Sequence, residues 1–99
     1  MERGGLIYIM TNKNKTTFYV GVTSDLLSRI IEHKSNKFPN SFTSRYNLTY
    51  CVYFEACFTI EEAIYREKQV RKYRREKKIA LVESINPNWD DLSIDIYNW

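Results

Sequence analysis

The pattern of apolar and polar positions predicts a β-hairpin near the start of the chain. Two apolar runs, Leu6 to Met10 and Phe18 to Val22, flank a polar linker, residues 11–16, whose composition is typical of a hairpin loop. A loop centred on the middle of this linker pairs Tyr8 directly with Tyr19. Both phenols would then lie side by side on one face of a small sheet.

A helix is predicted directly after the second strand. Residues 23–25 supply N-cap candidates, and the helix should run to about Lys34. Its apolar residues form one arc: Leu26, Leu27, Ile30 and Ile31. Arg29 and His33 are four residues apart and neighbour each other at the edge of this arc. Side chains that line a cleft beside the core would lie there.

The following segment, residues 35–47, is rich in turn-forming residues and shows no periodicity, which predicts a long loop. In a chain of this size such a loop is more often functional than idle. Its basic residues are Lys37 and Arg45, and Phe38 and Phe42 are candidates to anchor it.

A third strand is predicted from Leu48 to Cys57, which is rich in aromatic and β-branched residues. Simple alternation turns three side chains to one face, namely Val52, Phe54 and Ala56, and three to the other, namely Cys51, Tyr53 and Glu55. With the hairpin, this strand would complete a three-stranded sheet.

The next helix is predicted from about Ile60 to Tyr73. Thr59 can cap it, with Glu62 completing a capping box. Its apolar arc contains Ile60, Ala63, Ile64 and Val70. Glu67 falls in the middle of that arc, and a carboxylate aimed at the core is costly unless it is paired, hydrogen-bonded or bound to a metal.

A basic run follows this helix, with six Lys or Arg residues among positions 71–78. A last helix, from about Glu76 to Ile85, should bury Ile79, Leu81, Val82 and Ile85. The helix-stopping segment 86–88 precedes an acidic and aromatic tail, residues 89–99, which we expect to fold back on the domain.

Composition narrows the class of protein. The 99 residues predict a single domain, 1–99, with a core of about 5–92. A net charge of +3 and a pI near 8.9 are compatible with a nucleic-acid partner without being evidence for one. No apolar run approaches the roughly 20 residues of a membrane span, and no signal peptide is evident. We therefore expect a cytoplasmic protein with no membrane partner, and Cys51 and Cys57 as free buried thiols.

Two tyrosines, an arginine, a histidine and an inward glutamate therefore lie on elements that can share one face of the sheet. Phosphodiester hydrolysis uses such a set: a carboxylate for a divalent cation, an arginine for the phosphoryl oxygens and a base for water. Each residue also has an ordinary structural explanation. The tyrosines can simply pack, Arg29 can be a surface side chain, His33 a structural hydrogen-bonding group, and Glu67 a partner for an Arg or Lys.

These motifs resemble the GIY-YIG nuclease superfamily, in particular its small stand-alone bacterial members of the YhbQ-like type. The first motif of the family matches Leu6-Ile7-Tyr8, with leucine in place of the family's glycine. The second matches Tyr19-Val20-Gly21, where Gly21 leaves room beside the Tyr19 ring or lets another backbone approach.

The rest of the family pattern follows in order. Its helix arginine matches Arg29, the histidine after it matches His33, and its metal-binding glutamate matches Glu67. The ending at residues 85–89 resembles the Asn-Pro-x-Trp of the small members, which places the family's late asparagine on Asn86.

The resemblance implies an α+β sandwich in β-β-α-β-α-α order and hydrolysis that depends on one ion of Mg²⁺ (or Mn²⁺). Tyr8 or Tyr19 would be the general base or would orient the attacking water. Arg29 would stabilise the pentavalent phosphate, His33 would hold a tyrosine or the phosphate, and Glu67 would bind the cation.

The leading hypothesis is a metal-dependent endonuclease acting on DNA, including branched or single-stranded DNA, helped by a set of basic residues: Arg45, Arg71, Lys72, Arg74 and Arg75. The second is a non-cleaving nucleic-acid-binding module, because separate domains usually target such cores to DNA. The third is a protein-interaction scaffold, suggested by the aromatic tail. A targeting protein partner and the oligomeric state stay open.

Overall fold

The computed structural model describes residues 4–35 and 37–98 and shows a three-stranded antiparallel sheet between helices, an α+β architecture. Its elements, in chain order, are β1 (Gly5–Thr11), β2 (Phe18–Thr23), α1 (Leu26–Ser35), α2 (Phe42–Arg45), β3 (Tyr50–Cys57), α3 (Ile60–Arg71), α4 (Arg75–Glu83) and α5 (Ser93–Tyr97). The strand order is β2-β1-β3. The predicted fold class is confirmed, and the short helices α2 and α5 are additions to the predicted order.

The hairpin forms, but its register differs from the prediction by two residues. Tyr8 lies opposite Gly21, and Tyr19 lies opposite Met10. Because side chains alternate along a strand with a period of two, a slip of two residues leaves each one on its predicted face. The two phenol rings are therefore diagonal neighbours on one face, with centroids 6.1 Å apart.

The hairpin loop explains the difference in register. β1 continues through Thr11, and the Asn12 Oδ1 atom accepts the backbone N–H groups of Thr16 and Thr17 at 2.9 and 3.3 Å. Residues 12–17 thus form the loop, and its centre lies one residue later than the composition of the linker suggested.

The predicted alternation along β3 is wrong. The pairing of β3 with β1 slips at Val52, where a β-bulge adds one residue to β3. Cys51 and Phe54 consequently pack on the face that carries Tyr8, whereas Val52 and Tyr53 pack on the opposite face. An inserted residue of this kind leaves no mark in a pattern of alternating residue types.

Two hydrophobic clusters cover the two faces of the sheet. The first lies under α1 and α5 and includes Tyr8, Met10, Leu26, Ile30, Leu48 and Ile96. The second lies under α3 and α4 and includes Ile7, Ile9, Val20, Ala63, Val70 and Val82. β1 is the central strand and is buried along its whole length, so it contributes side chains to both clusters.

The predicted helices are present, and their predicted N-caps are confirmed. The Asp25 carboxylate accepts the N–H of Ser28 at 3.2 Å, and the Thr59 hydroxyl accepts the N–H of Glu62 at 3.1 Å. One isoleucine in each predicted apolar arc is nevertheless exposed, namely Ile31 at 50%, Ile64 at 39% and Ile85 at 55%. A sheet of three strands is too narrow to cover the outer edge of each arc.

The tail folds back as predicted, within the described residues; Trp99 lies outside them. Ile96 of α5 is fully buried beside the Tyr8 cluster. The backbone N–H of Leu92 donates to the carbonyl of Cys51 at 2.7 Å. Asp91 accepts from Lys34 Nζ at 2.7 Å and from the N–H of Cys51 at 3.1 Å. The tail therefore ties the edge of β3 to α1.

Both cysteines are free; Cys51 is buried, and Cys57 is only half-buried. Across residues 4–35 and 37–98, no helix has the length and apolar character needed to span a bilayer.

Candidate active site

A cleft of about 260 Å³ opens on the face of the sheet that carries both tyrosines. Tyr8 and Tyr19 form its floor, α1 contributes Arg29 and His33, and α2 contributes Thr43. Other described residues complete the wall: Val22, Glu32, Phe38, Ser41, Phe42 and Ser44. Four of the five residues predicted to carry the chemistry thus meet in one cleft.

Gly21 is required for the packing of the two phenols. A Cβ atom at this position would lie 2.5 Å from the Tyr8 hydroxyl and 2.8 Å from Cε2 of Tyr19. Both distances are shorter than van der Waals contact, so a side chain opposite Tyr8 would force the rings to shift, whereas glycine fits in this register. The structure places the predicted supporting residue directly beneath the rings.

A chain of hydrogen bonds runs from the cleft floor to α2. The Tyr8 hydroxyl and His33 Nε2 are 3.1 Å apart, and His33 Nδ1 and Thr43 Oγ1 are 3.0 Å apart. Thr43 Oγ1 lies 3.2 Å from Ser41 Oγ, which caps α2 by accepting the N–H of Ser44 at 3.3 Å. His33 is therefore held at both ring nitrogens by hydroxyl groups.

The surroundings of this chain favour the neutral forms of its members. Burial raises the pKa of Tyr8 well above its usual value; Tyr19 adds to the rise, and Arg29 only partly opposes it. Burial and then Arg29 lower the pKa of His33, which Glu32 partly offsets. At neutral pH the phenol of Tyr8 keeps its proton and the His33 imidazole is uncharged.

Arg29 reaches the cleft from the first turn of α1. Its side chain is 48% exposed, and Nη1 lies 3.4 Å from an oxygen of Glu32. Such a solvent-exposed pair is weak, typically about 0–1 kcal/mol. The guanidinium can therefore turn to a phosphate that enters the cleft, where two parallel hydrogen bonds would be stronger.

Glu67 is buried, as its place in the α3 arc predicted, but it is absent from the described lining of this cleft. It lies between Ala63 and Val70, on the side of α3 that packs against the opposite face of the sheet. Arg71 Nε donates to Glu67 Oε2 at 2.6 Å, and Arg71 Nη2 contacts the same oxygen. The Arg71 side chain is 64% exposed and covers a carboxylate that is only 4% exposed.

Tyr19 lies between the cleft that contains Arg29 and His33 and the region of Arg71, the partner of Glu67. A second cleft of about 350 Å³ is lined by Phe18, Tyr19, Val20, Arg71 and Lys78. β2 is an edge strand, so the two faces of the sheet meet along its outer side. Tyr19 borders both clefts there. Glu67 and its partner thus lie around the sheet edge from Arg29 and His33 rather than beside them.

The donor set limits how a cation can bind. The described residues contain no cluster of three or more His, Cys, Asp or Glu side chains suited to hold a metal ion. Mg²⁺ commonly keeps several waters and takes one or two carboxylates plus substrate phosphate oxygens, so the single carboxylate of Glu67 fits such an ion. Oε2 can join only when Arg71 has moved away.

The predicted basic contacts occupy different positions. Arg45 is exposed on α2, close in sequence to the cleft residues, and Lys72 and Arg74 are exposed between α3 and α4. Arg75 instead ties the hairpin loop to α4: it donates to the carbonyls of Lys15 and Thr16 at 2.8 and 3.0 Å. The guanidinium of Arg75 also lies 4.7 Å from the centroid of the Phe18 ring.

Asn86 is buried and joins β3 to the tail. Its Nδ2 donates to the carbonyl of Val52 at 3.0 Å and to that of Asp90 at 2.9 Å, while its Oδ1 accepts the N–H of Asp90 at 3.0 Å. The side chain satisfies backbone groups beside the bulge, and these contacts give it a structural role.

The sequence patterns do not identify Thr43 and Ser41, because the segment 35–47 has no periodicity and predicts a loop. A signal was present: Ser41 and Ser44 have the spacing of an N-cap and its N3 residue, which marks the start of α2. The short helix fixes Thr43 against His33.

A cleft with two phenols, an imidazole and a guanidinium on a small antiparallel sheet is the arrangement that the motif resemblance to the GIY-YIG nucleases implies. The sequence model of the GIY-YIG catalytic domain matches residues 4–80, and the chain belongs to this family. The resemblance inferred from its motifs is confirmed.

Two curated relatives agree with this assignment. The chain is 30% identical over 81 residues to a UPF0213 protein of Syntrophus aciditrophicus, covering 82% of this chain and 91% of that protein. It is 29% identical over 70 residues to a UPF0213 protein of Staphylococcus epidermidis, covering 71% and 84%. No solved structure matches the chain significantly.

Proposed function

We propose that this protein is a metal-dependent endonuclease that hydrolyses phosphodiester bonds in DNA, in the cytoplasm. The observation that carries the proposal is that four side chains line one cleft of about 260 Å³, namely Tyr8, Tyr19, Arg29 and His33. Membership of a nuclease family supports hydrolysis of nucleic acid. Ordinary core packing explains a buried tyrosine but not a half-exposed guanidinium and a neutral imidazole facing the same space.

Arg29 is the phosphate ligand in this proposal. Its exposed guanidinium lies at the mouth of the cleft, and its ion pair among the described residues is the weak one with Glu32. A pentavalent phosphate carries more negative charge on its equatorial oxygens than the ground state does. A guanidinium that contacts these oxygens therefore stabilises the transition state more than the bound substrate.

Tyr8 is the general base in this proposal, acting together with His33. The Tyr8 hydroxyl lies in the cleft and contacts the neutral imidazole at 3.1 Å. A buried phenol with a raised pKa does not ionise by itself at neutral pH. Loss of its proton to His33 as it takes one from water avoids a free phenolate.

Glu67 is the cation ligand in this proposal. A bound Mg²⁺ or Mn²⁺ would polarise the phosphate or the leaving oxygen. In the free protein, Arg71 neutralises the Glu67 carboxylate. A DNA phosphate at the second cleft would attract the exposed guanidinium of Arg71 and leave Oε2 for the ion. Arg45, Lys72 and Arg74 would contact the DNA backbone further out.

A second candidate is a nucleic-acid-binding module that does not cleave. The position of Glu67 favours it, because this carboxylate is paired with Arg71 and lies outside the cleft that holds the tyrosines. If Arg71 never leaves, it keeps the Glu67 carboxylate neutralised and weakens cation binding, and nucleic-acid binding without turnover is the expected result.

The test is to incubate the purified protein with single-stranded, nicked and branched DNA, with Mg²⁺ and with a chelator. We expect products only with Mg²⁺, and we expect Arg29→Ala and Glu67→Ala each to slow cleavage by about 10²-fold or more. Lys68→Ala is the matched control, since it removes an exposed charge next to Glu67 on the outer side of α3. If the Arg29→Ala and Glu67→Ala proteins both still cleave DNA, these residues do not form the proposed active site. Salt-sensitive binding without turnover on any substrate supports the second candidate.

A further inference from the structure

Thr43 is placed to control the protonation of His33. It lies on α2, its side chain is nearly buried at 6% exposed, and its Oγ1 is 3.0 Å from His33 Nδ1. On the far side of the ring, Nε2 faces the Tyr8 hydroxyl at 3.1 Å. A neutral imidazole carries one proton, so one nitrogen must donate and the other must accept.

The direction of these hydrogen bonds follows from the phenol. The Tyr8 hydroxyl is buried, keeps its proton and needs an acceptor. The candidates are the imidazole of His33 and the hydroxyl of Tyr19, and an unprotonated imidazole nitrogen is the stronger acceptor. Nε2 therefore accepts from Tyr8, and the ring proton is on Nδ1. Thr43 Oγ1 accepts a hydrogen bond from this Nδ1–H, and the Thr43 hydroxyl can donate a hydrogen bond to Ser41 Oγ at 3.2 Å. Tyr8, His33 and Thr43 then each have an acceptor for their proton.

We propose that Thr43 is a positioning residue that accepts the Nδ1–H of His33 and so keeps the Nε2 lone pair directed at the Tyr8 hydroxyl. Neither motif-based reasoning nor family membership assigns this residue a role. Its chemical purpose rests on the proposed function, whereas the tautomer that it fixes is a property of the free protein.

The proposed proton path balances. As the water oxygen bonds to phosphorus, one water proton passes to the Tyr8 oxygen, and the Tyr8 proton passes to His33 Nε2. The bond from phosphorus to the leaving oxygen breaks, and that oxygen takes the electron pair and then a proton from solvent. His33 ends as an imidazolium whose Nδ1–H still donates to Thr43, so the ring does not have to reorient during the step.

His33 is the only histidine in the chain, which makes the test direct. Nitrogen NMR of ¹⁵N-labelled protein reports which ring nitrogen carries the proton, without any substrate. In the wild type at neutral pH we expect a protonated Nδ1 and an unprotonated Nε2. A dominant Nε2–H tautomer in the wild type would overturn the proposal.

Two substitutions separate positioning from a general structural effect. Thr43→Val keeps the side-chain shape but removes the acceptor, and it should shift the ratio of the tautomers by about tenfold toward Nε2–H. Thr43→Ser should restore the wild-type ratio. Ser44→Ala, which removes a hydroxyl from the same short helix, is the control and should leave the tautomer ratio at its wild-type value.

The outcomes distinguish this proposal from the proposed function. An unchanged tautomer ratio in a folded Thr43→Val protein contradicts the role of Thr43, whatever the protein cleaves. Should Thr43→Val fold poorly, Thr43→Ser and the wild-type spectrum still decide the tautomer. A confirmed tautomer in a protein that cleaves no DNA would leave the positioning role in place and contradict only the endonuclease.

Discussion

At the scale of residues, the floor of the cleft holds two groups that are neutral at neutral pH, Tyr8 and His33, and their hydrogen bonds assign each proton a position. Tyr8 is buried beside Tyr19 and His33, and this environment disfavours a free phenolate. The imidazole next to it is uncharged at neutral pH, so it can accept a proton. The raised pKa of Tyr8 and the lowered pKa of His33 both disfavour transfer of a proton from the phenol to the imidazole in the free protein, so in the proposed step this transfer has to be coupled to the arrival of a proton from water on Tyr8.

His33 should make the stability of the protein depend on pH. Burial and Arg29 place its folded pKa below the value of about 6.5 expected when unfolded. The unfolded chain then binds more protons in the interval between the two pKa values. The contribution of His33 to stability is fully present above about pH 6.5 and is lost as the pH falls through the folded pKa.

We therefore expect the free energy of unfolding of the wild type to fall from about pH 7.5 to pH 5, more than that of His33→Gln. Urea unfolding at several pH values measures this difference, and an NMR titration of the single histidine measures the folded pKa. A His33 pKa above about 6.5 in the folded protein, with the same pH dependence of stability in the wild type and in His33→Gln, would disprove that folding lowers the pKa of His33. Five side chains face the imidazole ring, namely Tyr8, Tyr19, Thr43, Arg29 and Glu32.

Arg71 should compete with the cation for Glu67. Arg71→Ala removes the guanidinium that contacts Oε2, and we expect the Kd for Mn²⁺ in the absence of DNA to fall by about tenfold, or ~1.4 kcal/mol. Calorimetry or the spectrum of bound Mn²⁺ measures the change. Glu67→Gln should abolish binding, and Lys68→Ala should leave it as in the wild type. Equal Mn²⁺ affinity in wild type and Arg71→Ala would show that Arg71 does not block the ligand.

At the scale of elements, the tail helix supports the site from below. Ile96 of α5 has no exposed surface and packs in the cluster that contains Tyr8, Leu26 and Ile30. Ile94 of the same helix is 70% exposed. The two isoleucines therefore form a matched pair for testing whether α5 is part of the core.

Ile96→Ala should lower the free energy of unfolding by about 2–5 kcal/mol, the usual cost of a cavity at a fully buried isoleucine. Ile94→Ala should change it by no more than about 0.5 kcal/mol. The midpoints of urea unfolding measure both values. Similar small effects at the two positions would show that the tail is not packed against the Tyr8 face.

Local residue patterns predict some features of the helices and strands but not all of them. The alternating runs, the caps Asp25 and Thr59, and the inward Glu67 follow from local rules, and the structure shows each of them. The bulge at Val52 does not, because it depends on pairing between distant strands. The hairpin register was missed because it depends on one Asn12 side chain that closes the loop.

The site was predictable to a similar extent. Strand alternation placed Tyr8 and Tyr19 on one face even with the wrong register. Helical spacing placed Arg29 and His33 beside them. The sequence does not identify the partner of Glu67, since either an Arg or a Lys can reach a buried carboxylate. Thr43 was missed because its role arises from the short helix α2, which brings it against His33.

At the scale of the whole molecule, the sheet edge at β2 joins two kinds of site. One cleft carries the phenols, His33 and Arg29, and the other carries Arg71 and Lys78. Tyr19 lies between them. A phosphodiester strand that crosses this edge would meet the proposed base and the proposed cation ligand from two sides, and the net charge of +3 favours its approach.

The most direct test of this account is the rate of Mg²⁺-dependent DNA cleavage by Tyr8→Phe, a change that removes one hydroxyl. Tyr53→Phe is the control, because it removes another phenol hydroxyl, bound to Glu55 at 2.6 Å, on a side chain that packs against the opposite face of the sheet. We predict that Tyr8→Phe lowers the rate by about 10²-fold or more while Tyr53→Phe stays close to the wild type. A Tyr8→Phe protein that cleaves DNA at the wild-type rate would contradict the account.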